Sequence, residues 1–230
     1  YQDMEYDDGA DIVRWMQEEL VDMVVPTVPV AAVEGARYLG KYVEAARNCR
    51  CVVFAGTRNP NHDDLSLRPI TQEILRAQIC SYARAGVDGV YYWWPRIDPS
   101  HANWNMLQEI GDPGLMARRD KHFIASEDLP LTVKEGESGV PFLIADDLAA
   151  AADGGWLREV RLRLRFLHLR PGDRVRLKIN GVSVPDDAIM TAERPAAPFI
   201  TGRIDVILDG DTLPVRDENL LVVEVEREQS

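Results

Sequence analysis

The sequence predicts two halves of different fold class: α/β in residues 1–127 and all-β in residues 128–230. Three observations predict it. Up to about residue 123, short apolar runs alternate with stretches of helical spacing. Those runs are apolar on successive residues, the pattern of parallel strands covered on both faces. Beyond about residue 128, period-two alternation takes over, broken by Pro, Gly and Asp, as in strands with one buried and one wet face.

The elements of the first half follow in order. Asp11 is placed to cap a helix in which Ile12, Trp15, Met16 and Leu20 recur at helical spacing. Residues 21–25 form a short apolar strand that Pro26 closes. A second helix spans 31–48, with Val33, Ala36, Tyr38, Leu39, Tyr42 and Val43 on its apolar face, and 51–55 is the second strand. A third helix spans 69–85, with Pro69 in its first turn and Gly86 ending it. Residues 87–94 read as the third strand. Helical spacing returns over 104–110, and again over 115–123 after the Gly111-Asp112-Pro113 break.

Three parallel strands with helical cover leave an apolar, unpaired edge on each side. Such a sheet is not expected to stand alone, so the chain is expected to be the carboxyl-terminal piece of a larger protein. Two alternatives remain open: a small open α/β sheet, and an exchange of elements between copies that completes a barrel.

In the second half, Leu157 to Phe166 alternates apolar residues with arginine and glutamate, and Arg174 to Ile179 repeats the pattern. Asn180-Gly181 is a type I′ hairpin signal, with residues 182–184 returning. Residues 220–225 alternate again. Several such strands predict a small antiparallel β-sandwich. Leu162, Leu164, Val175, Leu177, Ile179, Val223 and Val225 are its expected core. Arg161, Arg163, Arg165, Arg174 and Arg176 form a stripe expected to be a solvated face flanked by acids rather than a polyanion site.

Composition excludes some partners. The net charge of −12 repels phosphate backbones, so nucleic acid is not an expected partner. No apolar run approaches the roughly 20 residues that cross a bilayer, and membrane insertion is not expected. The chain opens on Tyr1 with no basic segment leading into an apolar one, and in a piece of a longer protein that carries no information on export. Cys49, Cys51 and Cys80 lack further ligands at metal-binding spacing, so they read as thiols; no metal and no cofactor are expected.

Two stretches carry a resemblance. One is Ala85-Gly86-Val87-Asp88-Gly89-Val90-Tyr91-Tyr92-Trp93-Trp94; the other runs from Leu107-Gln108-Glu109-Ile110-Gly111-Asp112-Pro113 to Arg119-Asp120-Lys121. Together they resemble the end of the barrel in bacterial glycoside-hydrolase-like proteins of the family-10-like group. Trp15 to Pro26 is similar to an earlier helix–strand unit of those barrels. The resemblance implies that 21–25, 51–55 and 87–94 are the sixth, seventh and eighth strands of a (β/α)8 barrel. Residues 1–127 are then its last three βα units, and 128–230 a β-sandwich accessory domain. It implies a protein that binds or hydrolyses poly- or oligosaccharide at O-glycosidic bonds, or a non-catalytic carbohydrate-binding or cell-surface protein that reuses the barrel. Secretion or a place in the cell envelope rests on the resemblance alone.

Barrel sites lie at the carboxyl ends of the strands. Here these are Pro26-Thr27, Gly56-Thr57-Arg58-Asn59 and Trp93-Trp94 with the loop to Asp98. A flat indole suits the apolar C–H face of a sugar ring. Successive strand residues point to opposite faces, so at most one of Trp93 and Trp94 faces a cleft from within the strand. Arg58 and Asn59 suit sugar hydroxyls. Asp98 is the candidate acid nearest a strand end, although a turn role beside Pro99 fits it equally. His62 and His101 read as solvated loop residues. Glycoside hydrolysis ordinarily needs two carboxylates, and no second one stands out here, so the catalytic pair is expected in the part of the barrel that precedes this chain.

Overall fold

The computed structural model describes residues 10–28, 35–58, 71–93, 106–125, 137–167, 169, 172–192 and 202–226. The chain divides into two compact units, Tyr1–Glu127 and Asp128–Ser230.

The first unit opens with α1 (Ile12–Gln17), and Asp11 caps it: Oδ1 accepts from the Arg14 N–H at 3.1 Å. Two short strands follow, β1 (Met23–Val24) and β2 (Thr27–Val28). Then come α2 (Gly35–Ala46), β3 (Val52–Arg58), α3 (Gln72–Ala85) and β4 (Gly89–Trp93). Two short helices end the described part, α4 (Met106–Glu109) and α5 (Pro113–Ala117).

Among the described residues all strand pairs of this unit are parallel. β1 and β2 both lie along one side of β3, and β4 lies along the other. The order in space is thus the order in sequence. Pro26 does not close the first strand. It has no N–H to give the ladder, but its carbonyl accepts from the Gly56 N–H at 2.9 Å, and pairing resumes at Thr27. β3 also runs on past residue 55, through Gly56 and Thr57 to Arg58. The pairing of β4 begins one residue early through a side chain: Asp88 Oδ2 accepts from the Val53 N–H at 2.8 Å, while the Asp88 N–H donates to the Val53 carbonyl at 2.8 Å.

The helices cover one face of this sheet. Val53 packs with Met16, Tyr42 and Ala45, and Ala55 with Leu39 and Tyr82. Val90 and Tyr92 pack against Ile74, Leu75 and Ile79. Burying a side chain such as Leu39 or Leu75 stabilises the unit by roughly 1.5–3 kcal/mol. Thr71 starts α3, its hydroxyl accepting from the Ile74 N–H at 3.4 Å, and Gly86 ends it in the left-handed conformation at φ 93°. The expected start at Pro69 lies outside the described residues. The last helix begins at Pro113, not at 115, because Asp112 Oδ1 accepts from the Leu115 N–H at 2.9 Å and Pro113 takes the first turn; it ends at Ala117.

Among the described residues the strand pairs of the second unit are all antiparallel, and one short α-helix accompanies them. The unit holds β5 (Glu137–Ile144), α6 (Leu148–Asp153), β6 (Val160–Phe166), β7 (Arg174–Ile179), β8 (Val182–Ser183), β9 (Ile189–Ala192), β10 (Gly202–Leu208) and β11 (Asp217–Glu226). One sheet has the order β5–β11–β7–β8, the other β6–β10–β9. Their inner faces share one core: Leu177, Ile179, Leu221 and Val223 from the first, and Ile204, Val206 and Leu208 from the second. Leu162, Leu164, Val175 and Val225 are half-buried against it. The Asn180-Gly181 turn takes two positive φ values, 51° and 85°, as a type I′ hairpin requires.

Arg161, Arg163 and Arg176 of the arginine stripe are paired within the unit. Arg161 meets Glu159 at 2.7 Å, Arg163 meets Asp205 at 2.9 Å, and Arg176 meets Glu226. Arg165 is half-buried rather than wet.

Overall, the molecule is a mixed α and β protein. Among the described residues the parallel strands form an open sheet, and no barrel closes.

Candidate functional site

In a parallel sheet all carboxyl ends lie on one edge. Here β2, β3 and β4 end side by side, with Thr27 opposite Gly56, Gly56 opposite Tyr91, and Arg58 opposite Trp93. The register therefore sets two of the expected site residues, Arg58 and Trp93, directly across from each other at the strand ends. Of these two the backbone alone is described. Asn59, Trp94 and Asp98 lie outside the described residues, as do His62 and His101.

Alternation assigns the faces. Val53, Ala55 and Thr57 are buried on the helix side. Positions 52, 54, 56 and 58 belong to the opposite face, as do 89, 91 and 93 on β4. All of the core clusters of this unit lie on the helix side. On the other face Met23 is 53 % exposed and Tyr91 is 51 % exposed. Trp93 thus occupies a position on the face opposite the described helices, which sequence alone did not resolve.

A polar layer underlies the same edge from the helix side. Thr57 is fully buried, and its hydroxyl lies 2.7 Å from Gln78 Oε1. This pair ties the end of β3 to α3.

Two glycines shape the open face. A Cβ on Gly89 would come within 2.5 Å of the Phe54 ring, so the absent side chain lets that ring lie across β4. A Cβ on Gly56 would come within 2.6 Å of the Thr27 hydroxyl oxygen. Sequence reasoning placed Thr27 and Gly56 at strand ends without assigning them a role, and it did not single out Tyr91. The alternation of β4, carried from Trp93 back two residues, is the signal that finds Tyr91.

Described carboxylates are found elsewhere. Asp22 and Asp88 stand at the amino ends of the strands, and Asp88 is engaged with the Val53 backbone. Among the described residues no Asp or Glu lies at the carboxyl edge of the sheet, and none groups with His or Cys as metal ligands would. None of the three cysteines is in a disulfide. Among the described residues no helix is long and apolar enough to cross a membrane.

Neither family models nor curated proteins match this chain.

Proposed function

We propose that the first unit is the last three βα units of a (β/α)8 barrel, and that its carboxyl edge forms one wall of a carbohydrate cleft in a glycoside-hydrolase-like protein. Hydrolysis of O-glycosidic bonds in poly- or oligosaccharide is the activity this reading assigns to the intact protein. One observation carries it: parallel strands adjacent in chain order, covered by helices on a single face, with Arg58 and Trp93 in register where the strands end. In a barrel the uncovered face is the interior, and the carboxyl edge is the mouth. Trp93 or Trp94 would stack on a sugar ring while Arg58 and Asn59 bond its hydroxyls, with Asp98 the candidate acid.

A second reading is a non-catalytic carbohydrate-binding protein. It is favoured by the lack of carboxylates at the described part of the carboxyl edge. Both readings are tested by replacing Trp93 and Trp94 separately with Ala in the intact protein and measuring binding and turnover on a glycan panel. Loss of a cleft indole is expected to weaken binding by roughly 1–3 kcal/mol. Unchanged affinity and rate in both variants, with the fold retained, would sink the cleft. Binding without turnover selects the second reading, and loss of turnover on Asp98→Asn alone would put a catalytic acid in this chain. On the architecture, the reading expects further βα repeats ahead of Tyr1 in the coding sequence, since such barrels take about 250 residues.

A further inference from the structure

Among the described residues β10 is the sole strand partner of β6, so β6 is an edge. The other edge strands of this unit are blunted. β8 has two residues, β9 has four, and β5 carries Pro141, which has no N–H to give a partner. β6 has seven residues and neither device. Its two faces are unlike. Arg161, Arg163 and Arg165 share one face, about 7 Å apart along the strand. Asp205 binds Arg163 and Arg203, and Glu159 binds Arg161. Arg165 has no carboxylate partner among the described residues, and it stands directly opposite Arg203, a like charge. The face thus keeps an excess of positive charge in a chain of net charge −12. On the inner face Val160, Leu162 and Leu164 are half-buried, whereas Leu208, Val206 and Ile204 opposite them are buried. The core thins toward β6, where one more strand would cover it.

We propose that β6 takes up an extended acidic segment of a partner protein as an added strand. Backbone bonds form along the open edge of β6. Acidic side chains at alternate positions meet the arginines, and the apolar ones between them cover Leu162 and Leu164. A second copy of β6 does not fit, because pairing would set arginine against arginine. An acidic polysaccharide would find the arginines but use neither the backbone edge nor the apolar row. This surface lies in the second unit and is independent of the carbohydrate cleft.

The test is fluorescence anisotropy of the full chain with labelled peptides matched in length to β6. One alternates Glu and Val, one alternates Lys and Val, and one is the Glu-Val peptide with a backbone N-methylated at alternate residues. The Glu-Val peptide is expected to bind and the Lys-Val peptide not to. N-methylation, which removes the donors of the ladder and keeps the charge, should weaken binding by about tenfold or more. Arg161→Glu with Arg165→Glu should weaken Glu-Val binding by about tenfold and bring in the Lys-Val peptide. The N-methylated comparison uses the unaltered protein and decides the matter if the reversed variant does not fold. Equal binding of the N-methylated peptide would mean charge attraction alone and overturns the added strand. An oligogalacturonate that binds as tightly as the Glu-Val peptide makes the face a glycan site and overturns it too, as does the absence of binding to every peptide.

Discussion

Arg76 and Glu109, 33 residues apart, form a buried two-pronged ion pair, with Nε to Oε2 at 2.7 Å and Nη2 to Oε1 at 3.2 Å. The pair fastens α4 to α3. Gln72 Oε1 accepts a further bond from Nη2 at 3.2 Å, and the Asp120 carbonyl lies 3.5 Å from Nη1. All three guanidinium nitrogens thus have partners within the first unit.

Removing one member leaves the other buried with a more distant partner: Arg119 Nε lies 3.5 Å from Glu109 Oε1, and Glu73 Oε1 lies 3.8 Å from Arg76 Nη1. Glu109→Ala or Arg76→Ala is expected to cost about 3 kcal/mol in the first unit. Arg76→Met with Glu109→Leu, which removes both charges, should cost less than either single change. Urea unfolding followed by a probe confined to this unit checks the order, and a double variant weaker than both singles would show that the pair is not the source of the loss.

Asp205 is held between Arg203 and Arg163. The hydrogen bond from Arg203 comes first among the causes that pull its carboxyl well below the ordinary value of 3.8, burial opposes it, and Arg163 adds to the pull. A depressed folded pKa stabilises above the unfolded pKa and is lost as pH falls below it. The advantage of the natural chain over Asp205→Asn should be full at pH 6 and shrink steadily below about pH 4. At neutral pH it should be about 1–2 kcal/mol, since both arginines are partly exposed. Thermal unfolding of both proteins across that range measures it.

The hairpin between β7 and β8 should be sensitive at both central residues. Gly181 sits at φ 85°, so Gly181→Ala is expected to cost about 1 kcal/mol. The Asn180 side chain accepts from the Leu220 N–H at 2.9 Å and donates to Asn219 Oδ1 at 2.8 Å. Asn180→Ala loses both bonds and the left-handed preference, and should cost more than Gly181→Ala in the same denaturation assay.

The cysteines should separate by reactivity. Cys51 is 5 % exposed, and burial, followed by the neighbouring Cys49, pushes its thiol pKa up. Only the thiolate reacts. Maleimide labelling read by mass spectrometry should therefore reach half-buried Cys49 well before Cys51 in the folded protein, and both equally in urea.

What the sequence disclosed was local. Asp11 as a cap, Gly86 as a stop and Asn180-Gly181 as a turn each depend on neighbours within a few residues, and the structure has all three. β10 was not foreseen, although it is the middle strand of its sheet. Asp205 interrupts its apolar run, and only the arginines of β6 and of β10 itself make a carboxylate tolerable there. β2 was hidden behind Pro26 and the end of β3 behind Gly56, because both residues ordinarily break strands. The candidate site was legible as a list of strand-end residues. That position 93 faces position 58, and that Tyr91 shares their face, follows from strand pairing, which no local pattern contains.

The longest strand of the second unit is also its last. β11 lies between β5 and β7, and among the described residues it is the sole strand partner of β5. During synthesis β5 must wait for residues 217–226, more than 70 positions later, before its backbone can pair. At about 5–20 residues per second that is a delay of several seconds, whereas β3 needs only β4, some 35 residues on. The ribosome thus delivers the first unit ready to pair and the second one late. An exposed β5 in a stalled or truncated product is the species a chaperone would meet first.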